Sequence, residues 1–183
     1  MFCIKLWYYT SASGSEIDRY VSYNYANGAW AYGQLSRTAW LDAGVEPYPR
    51  ATSGGYLYEH EVGYDNDGSP MTNVFIESSD LDIGDGDEFS FVSKLIPDVR
   101  FLSNADGGQI NFVLKTRNAP GESLTTKSTS VINGDTARVD LRSRSRQIAL
   151  RFESDDDATY PGNNNTGWRL GSNRLQIKPN GRR

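Results

Sequence analysis

The chain has few of the residues from which metal centres and many catalytic sites are built. Its 183 residues include one cysteine, Cys3, and one histidine, His60. A single thiol excludes an internal disulfide and a cysteine-based metal site, and one imidazole without a thiol pair does not favour zinc. We therefore expect no cofactor, and we interpret His60 as a structural or surface residue.

Long apolar runs are also missing. No stretch approaches the roughly 18–20 apolar residues of a membrane-spanning helix, so we expect no membrane insertion. The opening residues, MFCIKLWYY, are too short and too aromatic for the apolar region of a secretory signal. They predict a first β-strand instead.

Neither sign of charge predominates. The 19 Lys and Arg residues face 23 Asp and Glu residues, which leaves a net charge of −4. General nucleic-acid binders are usually basic, so this balance does not indicate one.

What the chain does contain is typical of β-structure. Aromatic residues make up 12% of it, 11 residues are tyrosine, and 18 glycines interrupt the apolar segments. No window shows a sustained helical period with caps. We predict an all-β protein with little helix, in which a short Tyr/Trp-rich antiparallel sheet, resembling a propeller blade, precedes an antiparallel β-sandwich.

Residues 1–64 should form the aromatic sheet. Segments 18–25 and 29–35 flank Asn27-Gly28, which predicts a hairpin closed by a two-residue type I′ turn. A single blade cannot bury both of its faces, so we expect its rings to contact another subunit or a neighbouring sheet. The candidate interface residues of this sheet are Tyr23, Tyr25, Trp30 and Tyr32.

Residues 65–183 should form the sandwich. The stretch 38–48 is typical of a linker, segment 56–62 predicts one more strand of the first domain, and the turn-rich segment 64–70 marks the boundary. Strands then follow at a spacing that is common in sandwiches. They are expected at 73–78, 90–101 (interrupted at Pro97), 109–117, 125–132, 136–141, 147–153, around 168–170 and 175–177.

Two further local predictions concern this second domain. Asn133-Gly134 is a second hairpin signal. The last strands, from residue 147 onward, alternate apolar and polar side chains, and we expect them to form a small antiparallel meander with one apolar face.

Three arginines alternate along one predicted strand, at Arg142, Arg144 and Arg146. A row of guanidinium groups binds phosphates or the carboxylates of a neighbour well. Arg146 shares its parity with core residue Ile148, whereas Leu141 does not, so we expect a turn or bulge near 143–145 that splays the arginines. A solvated hairpin tip, a subunit contact and a DNA contact all remain open.

The acidic stretch 80–88 is a candidate calcium loop, because Ca²⁺ prefers several oxygen ligands. Its candidate ligands are Asp82, Asp85 and Asp87. The spacing is not that of an EF-hand, and a solvated turn is the default interpretation.

Two functional classes follow from residues alone. The many Tyr and Trp side chains could stack on sugars, as in a carbohydrate-binding module. A glycoside hydrolase needs a pair of carboxylates, and 23 acidic residues allow many pairs without selecting one.

Several segments resemble one family. RSRQIALRFES and the closing GWRLGSNRLQIKPNGRR, together with DRYVSYNYANGAWAYGQLSRTAW and SPMTNVFIESSDLDIGDGDEFSFVSKLIPDV, are similar to the C-terminal part of bacteriophage tail nozzle proteins. These are tail-hub or packaged-DNA stabilisation proteins of short-tailed phages. The resemblance covers most of residues 7–183.

The resemblance implies a structural virion protein rather than an enzyme. It implies a ring-shaped homo-oligomer, expected to be a hexamer, that surrounds the DNA exit channel and helps retain packaged DNA. The implied partners are other copies of the chain, the tail adaptor and portal-proximal proteins, and DNA that passes through the channel and is contacted without sequence preference. The implied location is the virion tail, and the host cytoplasm during assembly.

Overall fold

The structure is a computed structural model that describes residues 3–12, 14–69, 71, 73–82, 88–102, 108–154 and 167–181. Every regular element in these residues is a β-strand, which confirms the predicted all-β class. The chain divides into two compact units, Met1–Val62 and Gly63–Arg183. The predicted boundary falls two residues later, between residues 64 and 65.

The first unit holds two small antiparallel sheets. Sheet A has the strand order β1-β2-β3, and sheet B has the order β4-β5-β6. Part of the predicted linker is strand β4, and β6 stops before residue 62 because Glu61 adopts a positive φ of 64°. The strands are β1 (Cys3–Tyr8), β2 (Arg19–Asn24), β3 (Ala29–Gln34), β4 (Ala39–Leu41), β5 (Arg50–Ser53) and β6 (Tyr56–Glu59).

The hairpin between β2 and β3 is confirmed, but the predicted type I′ turn is wrong. Four residues rather than two separate the strands, and within this loop only Gly28 has a positive φ, of 73°. The amide of Gly28 donates to the carbonyl of Asn24 at 2.8 Å. Side-chain oxygens of Asn24 and Asn27 accept from the amides of Ala26 and Ala29, both at 3.0 Å, and these bonds stabilise the longer loop.

Ten further strands lie in the described residues of the second unit. They are β7 (Phe75–Glu77), β8 (Leu81–Asp82), β9 (Ser90–Ile96), β10 (Val99–Phe101), β11 (Gln109–Arg117), β12 (Thr125–Asn133), β13 (Val139–Ser145), β14 (Gln147–Ser154), β15 (Trp168–Leu170) and β16 (Arg174–Pro179).

Two layers of strands face each other in this unit. Sheet C has the order β12-β11-β14-β7, with β8 also pairing with β14, and the sheet D strands have the order β13-β9-β16. The short pair β10–β15 is a separate ladder, but β10 directly follows β9 and β15 directly precedes β16 along the chain, and we group the pair with sheet D. The buried core comes from both layers: Ile110, Phe112, Leu114, Ile132, Ile148 and Phe152 from sheet C, and Val92, Leu95, Val139 and Leu141 from sheet D.

Two predictions of strand pairing are wrong. Asn133-Gly134 is not a hairpin turn, because β12 pairs with β11 whereas β13 pairs with β9 in the other layer. The Asn133 side chain accepts from the Asp135 amide at 3.1 Å and the Thr136 hydroxyl at 2.7 Å, which shapes a crossover between layers. The last three strands likewise form no meander: β14 pairs with β11, β15 with β10 and β16 with β9.

Pro97 interrupts the long strand as predicted, between β9 and β10, although β9 is a central strand rather than an edge. The Asp98 carbonyl accepts from the Gly171 amide at 2.7 Å, and the Asp98 amide donates to the Asn173 side chain at 2.8 Å. An added Cβ on Gly171 would lie 2.2 Å from the Asp98 carboxylate, so a larger residue at this position would displace that side chain.

Candidate functional site

One face of sheet A is apolar and largely exposed among the described residues of the first unit. The strand register places Ile4, Tyr23 and Trp30 in one row across the three strands, and Leu6, Val21 and Tyr32 in the next row. The four side chains on the two edge strands, Ile4, Leu6, Trp30 and Tyr32, are 62, 66, 70 and 72% exposed. We call these six side chains the aromatic face.

Three of the four predicted interface residues of the first domain belong to this face. The Tyr23 and Trp30 rings lie 4.5 Å apart with 32° between their planes, and Tyr32 follows in the neighbouring row. Tyr25 does not join them, because it lies in the loop after β2. The alternating sequence pattern of β2 and β3 predicted the aromatic rings of this face. The aliphatic members Ile4 and Leu6 were missed because they lie on β1, and only the pairing of β1 with β2 places them beside these rings.

The inner face of sheet A is covered instead. Trp7 contacts Tyr20 at 5.3 Å and Trp40 of sheet B at 5.0 Å between ring centroids. The Tyr20 ring lies over its cross-strand partner Gly33, where an added Cβ would come within 2.6 Å of the ring. The aromatic residues of the first unit thus divide into an internal stack and an external face.

His60 joins the internal stack through Trp40, with the ring centroids 4.8 Å apart. Its Nε2 accepts a hydrogen bond from Nε of Arg37 at 3.0 Å, which requires the neutral imidazole. Burial, with the positive charges of Arg37 and Lys5, lowers the pKa of His60 below its ordinary 6.5. This arrangement agrees with a structural role for the histidine.

The three alternating arginines do not lie as expected. Arg142 and Arg144 are exposed on β13, and Arg146 occupies the turn where the chain passes from sheet D to sheet C. The register shift in β13 falls between Asp140 and Ser143, earlier than predicted. Arg144 and Arg146 therefore converge instead of splaying, and both guanidinium groups lie over the Phe89 ring, at 3.9 and 4.9 Å.

A network of ion pairs that the sequence did not reveal covers the outer face of sheet C. Glu77 accepts from Lys115 at 2.8 Å and from Arg151 at 3.0 Å, and Arg151 also contacts Glu153 at 2.5 Å. Hydrogen bonds from Lys115 and Arg151 hold the pKa of Glu77 below its usual 4.5, although burial opposes the shift. The charges on this face neutralise one another.

The calcium candidates are only partly placed. Asp82 lies on β8, where its carboxylate accepts from the Gln147 amide at 2.5 Å, whereas Asp85 and Asp87 lie outside the described residues. Within the described part of the chain, no three His, Cys, Asp or Glu side chains are grouped as metal ligands. In that same part, no helix is long and apolar enough to cross a membrane.

Comparison of the chain with models of known protein families finds no matching family. Comparison with curated proteins also finds no match.

Proposed function

We propose that the chain is a structural subunit of a phage tail nozzle, which forms a ring around the DNA exit channel and helps retain packaged DNA. The observation that carries this proposal is the aromatic face of sheet A. Burying a large apolar side chain contributes on the order of 1.5–3 kcal/mol, so six of them on one flat surface favour a contact with another protein surface. The kind of assembly, a nozzle ring, is proposed from the resemblance of several segments to nozzle proteins.

A ring contact joins two different patches of the same subunit, because each copy meets the next head to tail. The aromatic face would be one of these patches, and six copies would close the ring. The other proposed partners are the tail adaptor and portal-proximal proteins. In this proposal the subunit has no catalytic role and resides in the virion tail.

A carbohydrate-binding module is the second candidate, because Trp30 and Tyr32 are both at least 70% exposed. Sugar stacking uses aromatic rings, however, and gives no role to Ile4 and Leu6 in the same rows. Burial against a protein uses all six side chains, so assembly accounts for more of the face. The hydrolase alternative gains no specific support, since Glu77 and Glu153 are both ion-paired with Arg151.

The proposal predicts that Tyr32→Ser weakens self-association by about tenfold or more, because central aromatic anchors dominate protein interfaces. Light scattering with negative-stain imaging would measure the mass and symmetry of the particles. Tyr56→Ser is a matched control, because Tyr56 is 70% exposed but lies on sheet B. Equal losses in both variants would contradict assignment of the contact to the aromatic face.

Two further outcomes would overturn the nozzle proposal. One is a wild-type chain that stays monomeric at all concentrations and is absent from purified virions by mass spectrometry. The other is specific binding on a glycan array that Trp30→Ser abolishes, which would establish the carbohydrate-binding alternative.

A further inference from the structure

The outer face of sheet D carries a concentration of positive charge that the mild net charge of the chain conceals. The inward side chains of its strands, such as Leu95, Val139, Leu175 and Ile177, pack on the core, so the alternate positions point outward. We call the cations at these outward positions the basic face. They are Lys94, Arg100, Arg142, Arg144, Arg169, Arg174 and Lys178.

The strand register brings these cations together in rows. Arg100 of β10 lies directly opposite Arg169 of β15. Further along the ladder, Arg144, Phe91 and Lys178 form one row across three strands. From residue 91 to residue 100 the face extends roughly 30 Å at about 3.3 Å per residue.

In the described part of the chain these cations form no ion pairs, although the Arg144 guanidinium lies over the Phe89 ring and donates to the Asn180 carbonyl. None of the seven lies within 4.0 Å of a described carboxylate, whereas on sheet C Lys115, Arg117 and Arg151 all do. Asp140, also outward on β13, contacts Arg138 at 3.6 Å instead, and the Asp98 carboxylate accepts from the Ser172 amide. Like charges directly opposite each other, as in Arg100 and Arg169, destabilise a sheet. The fold alone therefore does not account for this face.

We infer that the basic face binds the phosphodiester backbone of a nucleic acid without reading its sequence. Five of the seven cations are arginines, whose planar guanidinium groups match phosphate oxygens bidentately. The face is long and narrow, which suits a linear polyanion. Apolar side chains between the cations are few, Phe91 and Ile96, whereas the centre of a protein–protein interface is largely apolar.

This inference deepens the DNA-retaining part of the proposed function by assigning the contact to one surface of the chain, and it rests on that function for the identity of the nucleic acid. The basic face itself is present whether or not the chain forms a ring. A chain that never enters a virion would carry the same face and bind the same phosphodiester backbone. Conversely, a nozzle subunit that binds no nucleic acid would leave the ring proposal intact. The two are distinguished because association is measured by particle mass and nucleic-acid binding is measured by titration with an oligonucleotide.

The test is fluorescence anisotropy of the full chain with a labelled oligonucleotide of random sequence, single-stranded or duplex, at increasing salt. The logarithm of affinity should fall linearly with the logarithm of salt, with a duplex slope no steeper than about −6, since each neutralised phosphate contributes about −0.9. Arg100→Gln and Arg169→Gln should each weaken binding to all sequences and reduce the slope by about 1.

Lys127→Gln is the matched control. Lys127 is exposed on β12 of sheet C, so this variant loses one positive charge of the same unit outside the basic face. A loss of affinity equal to that of Arg169→Gln would overturn the assignment to this face. Failure of both oligonucleotides to bind even at low salt would overturn the inference altogether.

Two more measurements complete the test. Polyglutamate that competes as well as the oligonucleotide would identify an acidic protein surface as the ligand and overturn the phosphodiester assignment. Arg100→Gln should raise the melting temperature of the free protein, because it removes one of the two positive charges that lie directly opposite each other, Arg100 and Arg169. Weaker binding together with higher stability separates a binding role from a folding defect.

Discussion

His60 is held in its neutral form by neighbours from several parts of the first unit. Arg37 donates to its Nε2, Trp40 stacks on its ring, and its own amide donates to the Pro49 carbonyl at 2.7 Å. A proton on Nε2 would turn the acceptor into a donor that faces another donor. One imidazole therefore makes the stability of this unit sensitive to acid.

The first prediction concerns the pH dependence of this group. Its folded pKa lies below the unfolded value of 6.5, so protonation favours the unfolded chain, and stability falls as pH drops through 6.5 toward the folded pKa. Melting curves should show lower stability at about pH 5.5 than at about pH 7.5, because histidine is the side chain that titrates there. His60→Gln should abolish most of this difference.

The histidine pKa can also be followed directly by NMR, since the chain has a single imidazole signal. Arg37→Gln should raise the midpoint toward 6.5, whereas Arg138→Gln, in the other unit, should leave it unchanged. A wild-type midpoint at or above 6.5 would contradict this account.

At the residue scale, sequence patterns predicted burial well inside regular strands. Ile110, Phe112 and Leu114 alternate with other residues along the predicted strand 109–117, and all three are fully buried. Close approaches between side chains and glycines were not predictable from sequence. Gly33 lies against the Tyr20 ring and Gly171 against the Asp98 carboxylate, and only the pairing of strands brings these residues near each other. The turn after Asn24 was missed because its own side-chain hydrogen bonds favour a longer loop.

At the element scale, β14 is the central connection of sheet C, since it pairs with β11, β7 and β8. Its outward Arg151 reaches Glu77 on β7 and stacks over Phe75 at 3.7 Å. Lys115 on β11 reaches the same Glu77 oxygen. One carboxylate thus joins three adjacent strands, in addition to the backbone ladder between β7 and β14.

The second prediction is that Glu77→Gln destabilises the second unit by about 1 kcal/mol, more than the fraction of a kcal/mol expected for an exposed pair. The pKa of Glu77 is lowered, so its contribution is present above pH 4.5 and is lost as pH falls below that value. Urea unfolding at neutral and acidic pH would measure both effects. Glu46→Gln, which removes a partner of Arg50 in the first unit, is the comparison.

An effect of Glu77→Gln no larger than that of Glu46→Gln would mean that the network contributes nothing beyond isolated surface pairs. Persistence of the Glu77→Gln effect at a pH well below the folded pKa of Glu77 would also contradict the account, because the carboxylate is then protonated in the wild type.

The existence of most strands followed from sequence, but their partners did not. Periodicity is a local property, whereas β14, β15 and β16 pair with β11, β10 and β9, strands far away along the chain. For the same reason Asn133-Gly134 was interpreted as a hairpin although it connects two layers. The basic face was missed too, because its cations come from five strands that only the pairing of the strands brings together.

At the scale of the whole molecule, two compact units are joined through a segment with unusual backbone geometry. Glu61, Gly63, Asp67 and Gly68 all have positive φ, between 53° and 78°. Most residues from 61 to 69 are exposed. Such segments are the preferred sites of proteolytic cleavage.

The third prediction is that brief digestion with a glutamate-specific protease cuts first after Glu61. Mass spectrometry should detect fragments ending and beginning there before any cut after Glu153, which lies half-buried in β14. Early cleavage within β14 instead would contradict the division into these two units.

Sequence patterns did not predict the two candidate binding surfaces in full, for a physical reason. Net charge is a sum, and a sum of −4 gives no information about a surface on which like charges gather. The aromatic face was anticipated in part, because rings alternate visibly along β2 and β3. Its full extent was not anticipated, because Ile4 and Leu6 come from a third strand, β1.

The irregular pairing around β9 has a geometric consequence for its outward cations. The pairing of β9 with β13 shifts register between Asp140 and Ser143 of β13. The pairing of β9 with β16 shifts register between Gln176 and Ile177 of β16. Such bulges increase the right-handed coiling of a strand. The guanidinium and ammonium groups on this surface therefore follow a twisted path. A flexible linear polymer can follow this path over its whole length, whereas a stiff polymer contacts only a part of it.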